Sequence, residues 1–417
     1  MNGNCLARAA GVCLLCIAVL LSGIFPKTIC AQENGGLKLA PQRIALSNGK
    51  SYSLNVPEGY EIGVAAEGLK RVRFLAKAPD GRLFVTDMHS LADNKQGRIY
   101  VLDGFDAKTG KFAKVAPYLE NLHNPNSVAF YKDASGQEWL YLALTEKLER
   151  FKFKAGDVKP SEPEVLATYP AYGLSYKYGG WHLTRTIVFG EGANKDKLYV
   201  SVGSSCNACE EKEEIRATVS EMDADGKNAR IIAGGLRNAV GLKIAEGKLF
   251  ATNMGADHLG NDAPDDTMFA LADETVAAPE EKNYGWPYCY FEAGKVKDDP
   301  KFTGSAQKTD CGKVPGVFAA FAAHGSPLGL EYFDSSMADA DLKEHFLVAL
   351  HGASKKVINR GYKVVRVAKD GTQADFITGF LKNGVVHGRP CDIFRLGPDS
   401  FLVTDDHAGV IYFLRRK

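Results

Sequence analysis

Neither sign of charge prevails in this chain: 51 Lys and Arg stand against 50 Asp and Glu over 417 residues, a formal net charge of +1. A polyanion therefore meets no attracting field, which excludes nucleic acid as the main partner. Long apolar runs are equally scarce. The one from Gly11 to Phe25, containing CLLCIAVLLSGIF, has roughly 15 residues and falls short of the ~20 that span a bilayer. Helical periods of about 10–15 residues between strands are missing too. Only short candidates such as Ser336 to Lys343 occur, which excludes a doubly wound α/β fold.

The usual chemical signatures are also absent. No phosphate-cradling G-x-x-x-x-G-K-[ST] or G-x-G-x-x-G follows a strand, and Gly190-Glu191-Gly192 lacks its third glycine. Glu210 follows Cys206-Asn207-Ala208-Cys209 where a haem-attachment motif needs His, and no second close cysteine pair completes a zinc site. The acidic run Glu221 to Gly226 carries Ile232 where a calcium loop needs a bidentate Glu, so it reads as a hairpin turn. Neither G-x-S-x-G nor H-E-x-x-H appears.

Arg8 precedes the apolar run, and Ile29-Cys30-Ala31 offers a small-residue cleavage site, so residues 1–31 read as a secretory signal peptide. The mature chain would be periplasmic or secreted, with no stable membrane span. It would keep Cys206, Cys209, Cys289, Cys311 and Cys391. In an oxidising compartment the expected pairs are Cys206 with Cys209 and Cys289 with Cys311, leaving Cys391 buried and alone.

What the chain has in abundance is glycine, 43 residues of it, and a repeat. From Val72, VRFLAKAPDGRLFVTDMHS and then GRIYVLD read as strand, Pro-Asp-Gly turn, strand, loop and strand. The second strand recurs as LFVTD, LYLAL, LYVSVGS, LFATNM, FLVALH and FLVTDD. Its equivalent residues Phe84, Tyr141, Tyr199, Phe250, Leu347 and Leu402 are spaced by 57, 58, 51, 97 and 55. Such units match propeller blades. The expected fold is all-β, a single six-bladed β-propeller over residues 32–417, with an insertion around 275–325 absorbing the long step. The final strand VIYFLRRK is expected to close the ring beside Ile44 to Leu54.

Four segments carry mutually consistent chemistry: WHLTRTIVFG from Trp181, GLRNAVGL from Gly235, TNMGADHLGNDAPDD from Thr252 and KNYGWPYCY from Lys282. Together with the six repeats they resemble the soluble pyrroloquinoline quinone (PQQ) dependent sugar dehydrogenases, especially the L-sorbosone dehydrogenase-like branch, from about Ala40 to Lys417. The resemblance implies an exported enzyme that oxidises an aldose or sugar aldehyde and passes electrons to an external acceptor. It places His182 as the base, a role suited to a neutral imidazole, and Arg185 in the same run beside the substrate. Arg237 and Asn238 fall where the family sets an Arg-Asn pair against the quinone. PQQ has three carboxylates and an ortho-quinone, for which a guanidinium fork and an amide are apt donors.

A calcium ion in the family is held largely by backbone carbonyls, here those of Gly255 and Ala256. Asp257, Asp262, Asp265 and Asp266 add hard oxygen donors, and Tyr284 falls at a further carbonyl ligand. Two departures stand out. Ser204 occupies the place of an Asp that supports the histidine in glucose-oxidising members, and the Lys and Arg pair of the last two blades is reduced to His351, Lys355 and Lys356 with Arg389 and Cys391. The His123, Asn124 and Asn126 loop is a further candidate lining. Two other readings compete: a non-catalytic propeller binding a saccharide or protein, and a calcium-dependent sugar lactonase using Asp87, Asp405 and Asp406.

Overall fold

The computed structural model describes residues 36–171, 182–274, 280–306 and 309–417. The expected leader and its cleavage point at Ala31 lie outside them. Among the described residues no helix is long and apolar enough to cross a membrane, and Ser336 to Lys343 forms turns rather than a helix.

Short runs of β-branched and aromatic residues separated by Gly-containing turns form six antiparallel sheets, because such side chains pack well on a pleated surface. The first blade comprises Val72–Lys77, Leu83–Asp87, Gly97–Asp106 and Lys111–Leu122. The second runs Ser127–Lys132, Glu138–Ala143, Lys147–Phe153 and Glu164–Thr168. In the third, Arg185–Phe189, Lys197–Val202, Thr218–Asp223 and Arg230–Gly234 are extended by the parallel pair Lys282–Asn283. Ala239–Ala245, Lys248–Asn253, Asp266–Asp273 and Ala319–Phe321 make the fourth. Pro327–Phe333, His345–Leu350, Lys363–Val367 and Gln373–Ile377 make the fifth.

The sixth blade joins Pro390–Arg395, Ser400–Asp405 and Val410–Arg416 to Tyr60–Ala66 from the beginning of the fold. The ring is therefore a six-bladed β-propeller, as the repeat implied. Its closing strand differs from the expectation. Leu39–Ala45 and Ser51–Pro57 pair with each other as a separate hairpin, and the partner of the last strand is Tyr60–Ala66.

All six equivalent second-strand residues are buried, because each second strand is sandwiched between neighbouring blades. Phe84, for example, meets Tyr118, Phe130 and Phe153 edge-on, an arrangement favoured by aromatic quadrupoles. The first strands of successive blades pack against one another around the central channel. Both expected disulfides form, Cys206 with Cys209 and Cys289 with Cys311, and Cys391 is free and buried. Cys289–Cys311 braces an excursion between the third and fourth strands of the fourth blade, which also carries the hairpin Cys289–Glu292 and Lys295–Asp298.

Candidate functional site

Each blade's first strand starts, and its second strand ends, at the same end of the channel. Residues just outside those strand ends therefore converge: Arg237 and Asn238 before Ala239, Arg389 before Pro390, Met254 and Gly255 after Asn253, His351 after Leu350. Together with His182 they line a cavity of about 450 Å³, within the roughly 300–1,000 Å³ of small-molecule sites. Arg73, Met88, Leu91, Asp257, Asp266 and His324 contribute further walls.

His182 has a left-handed backbone, φ 49°. Its Nδ1 lies 3.0 Å from the carbonyl of Ser204 and 2.9 Å from that residue's hydroxyl. A carbonyl only accepts, so Nδ1 carries the proton and the lone pair sits on Nε2. Burial, aided by the nearby Arg237 charge, pushes the imidazole well below its usual range, which keeps it neutral. Ser204, standing where an Asp was expected, thus supplies an orienting group through its backbone. Gly203 makes the arrangement possible, since a Cβ there would come within 2.5 Å of both Asn238 Oδ1 and His182 Cβ.

Arg185 does not reach the cavity. It is 1% exposed and donates to the carbonyls of His182, Thr184 and Pro170 at 2.9, 3.0 and 2.8 Å. Its burial behind the histidine, with Arg216 adding repulsion, lowers its pKa to about 9. It holds the backbone of His182 rather than a substrate.

Arg237 is buried. Its Nε and Nη2 donate at 2.8 Å to the backbone and side-chain oxygens of Asn207, and Asp257 lies 3.7 Å from Nη2. Among the described residues Asn238 Oδ1 is buried without a hydrogen-bond partner, a costly state unless something else arrives to pair with it.

Across the cavity, Arg389 donates to the carbonyls of Gly352 and Ala353 at 3.0 and 2.9 Å and to the Tyr362 hydroxyl at 2.8 Å. It also approaches His351 Nδ1 at 3.3 Å. His351 Nε2 meets Asp406 at 2.8 Å. Asp406 is fully buried and also pairs with Arg73 at 3.0 Å and Arg71 at 3.4 Å. Burial alone would raise the Asp406 carboxyl, but His351 and the two arginines outweigh it and hold it well below the carboxylate range.

Asp266 lines the cavity beside Gly255. Its two oxygens accept from the N–H groups of Gly255 and Ser326, both at 2.7 Å, yet burial raises its pKa to about 7. Ala256, Asp265 and Tyr284 line a separate void of about 30 Å³ that also touches Gly255 and Arg237. Asp265 accepts from Gly294 N–H at 2.8 Å, and the Tyr284 hydroxyl points to the carbonyls of Ala270 and Leu271.

Several expected residues stand elsewhere. Lys355 is exposed and does not line the cavity. Asp262 pairs with Arg360 at the surface. His123 is clamped between Asp93 and Glu146, while Asn126 donates to Thr186 and accepts from Arg73 inside the ring. Asp87 and Asp405 cap turns, Asp87 by accepting from Lys70, Arg71 and His89 and Asp405 from Arg389, His407 and Ala408. The three carboxylates of the lactonase reading do not meet in the cavity.

The donor set suits an anionic, quinone-bearing cofactor accompanied by a hard cation. The guanidinium groups of Arg73, Arg237 and Arg389, a neutral imidazole and an amide oxygen without a partner among the described residues share one cavity with the carboxyl groups of Asp257 and Asp266. A polyanion alone would be repelled by those carboxylates, and a cation alone by the arginines.

Comparisons with known proteins find the same fold. The fold resembles the holo PQQ domain of a pyranose dehydrogenase from Coprinopsis cinerea, with 18% identity and TM-score 0.69 over 88% of this chain and 97% of that one. It also resembles a calcium structure of a family AA12 protein from Trichoderma reesei, with 17% identity and TM-score 0.70 over 87% and 96%. The PQQ-bound aldose sugar dehydrogenase of Streptomyces coelicolor matches with 18% identity and TM-score 0.57 over 86% and 99%. No curated protein sequence matched. The TrAA12-like family model matches residues 54–378, and on that match the chain belongs to the TrAA12-like family.

Proposed function

We propose that this chain is an exported quinoprotein dehydrogenase that oxidises an aldose or a sugar aldehyde such as sorbosone. The observation that carries the reading is the convergence of His182, Arg237, Asn238 and Arg389 on one cavity of about 450 Å³. PQQ, when bound, supplies an ortho-quinone that accepts hydride from the sugar carbon. Arg237 and Arg389 would hold its carboxylates, with His351 fixing Arg389, and Asn238 would offer its acceptor Oδ1 to a donor of the cofactor or to the cation. Gly255 and Asp266 would hold calcium beside it.

The chain's own part in the chemistry is orientation and proton transfer. His182, neutral and with its lone pair on Nε2, takes the proton of the sugar hydroxyl, or of a hydroxyl of the aldehyde's hydrate, as the carbon loses hydride. Ser204 keeps the imidazole in that tautomer, and Arg185 fixes the backbone that carries it. An external acceptor would take up the electrons. Two disulfides support a periplasmic or secreted location, in keeping with the expectation that residues 1–31 are a leader.

Titration of the protein with PQQ and Ca²⁺, followed by dye-linked oxidation of aldoses and sugar aldehydes, tests the reading. A red-shifted quinone band and PQQ-dependent turnover are expected. Binding of a saccharide with no quinone uptake would leave the non-catalytic propeller instead.

A further inference from the structure

The disulfide Cys206–Cys209 closes a loop of four residues beside the cavity, and that loop touches both halves of the site. Its Asn207 fills one edge of the Arg237 guanidinium with two neutral acceptors, the backbone oxygen to Nε and Oδ1 to Nη2, both at 2.8 Å. The same Oδ1 accepts the N–H of Asp257 at 2.8 Å. One residue earlier, the Cys206 carbonyl accepts the Ser204 hydroxyl at 2.6 Å, and Ser204 in turn orients His182. The loop is braced from outside: Lys301 Nζ donates to the Ala208 carbonyl at 2.5 Å, and Trp286 packs on the disulfide with Ala217.

Neutral acceptors orient a guanidinium without cancelling its charge. A carboxylate in the same place would also orient it, but would leave less field for an incoming anion. Burial lowers the Arg237 pKa, with Asp257 and Asp266 opposing, and the guanidinium, still charged, is fixed in direction by Asn207.

We propose that Asn207, held by the Cys206–Cys209 loop, is a positioning residue that aims Arg237 at a carboxylate of the bound cofactor while adding no negative charge of its own. This rests on the PQQ reading above. The disulfide contributes by denying the loop the conformations in which Asn207 lets go.

The test is PQQ affinity, measured by titration in the presence of Ca²⁺, alongside the thermal midpoint of each protein without cofactor. Asn207→Ala removes one charge-assisted hydrogen bond and is expected to weaken PQQ binding about tenfold. The double variant Cys206→Ser with Cys209→Ser is expected to weaken it similarly. Asn207→Asp keeps both acceptors but neutralises the arginine, so affinity should fall at least tenfold while the thermal midpoint holds or rises. A purely structural role predicts the opposite for Asn207→Asp, unchanged affinity in a protein that folds as well as the wild type. That result, or wild-type affinity in Asn207→Ala or in the double cysteine variant, overturns the proposal and leaves the cofactor reading standing. Failure of the wild-type protein to take up PQQ overturns both.

Discussion

His182 and His351 line the same cavity from different blades, and they are held in opposite ways. His182 on the third blade donates through Nδ1 to a backbone carbonyl and keeps its lone pair on Nε2. His351 on the fifth gives Nε2 to the buried Asp406 and presents Nδ1 to Arg389. Burial lowers both, but the carboxylate works against it only at His351. The difference separates two settings for one residue type: the first histidine is oriented by a backbone carbonyl, and the second links a buried anion to Arg389; on the function proposed above, the first would take the proton and the second would steady the cofactor's arginine.

Removing the first should cost the most. His182→Gln is expected to lower kcat by about 10²- to 10⁴-fold, with PQQ affinity within a few-fold of wild type. In the wild-type enzyme the acid limb of kcat/KM should lie below pH 6.5, because the folded imidazole resists protonation. A limb at or above that value would assign the base elsewhere.

Asp406→Asn acts on the other side. It strips a fully buried carboxylate from His351, Arg71 and Arg73, and breaking a buried ion pair costs about 3–5 kcal/mol. Thermal unfolding should fall by several degrees, and PQQ affinity should drop because His351 no longer steadies Arg389. An unchanged midpoint would show that the arginines find other partners.

Ser204→Ala should matter least. The backbone carbonyl that orients His182 survives, so kcat/KM is expected to stay within about fivefold, the worth of one ordinary hydrogen bond. A hundredfold loss would move the orienting role from the carbonyl to the hydroxyl.

The repeat was legible because each second strand is squeezed between blades, and LFVTD, LYVSV or FLVTD must be apolar on both faces. The closing strand was harder to read. YEIGVAA from Tyr60 and the run from Ile44 to Leu54 both alternate, and local pattern holds no clue to which one meets residues at the far end of the chain. At the site, His182, Arg237 and Asn238 were marked by short motifs that place a donor just outside a strand. The pairing of His351 with Asp406 spans 55 positions and two blades, so no window on the sequence contains it. Asn207 showed only as part of a failed haem motif; its grip on Arg237 crosses 30 positions. Lys355 was named for its charge, which says nothing about the direction in which its loop turns.

The ring is sealed by pairing Tyr60–Ala66 with Val410–Arg416, and Glu61 bonds Arg415 at a separation of 354 positions. A growing chain therefore cannot finish its sixth blade until Val410–Arg416 has emerged. Contacts of such long range are slow to form, and until then an open strand edge is exposed to other chains. Loss of even the final seven-residue strand would leave two blade edges unpaired, so a shortened product is expected to aggregate rather than to persist as a smaller working enzyme.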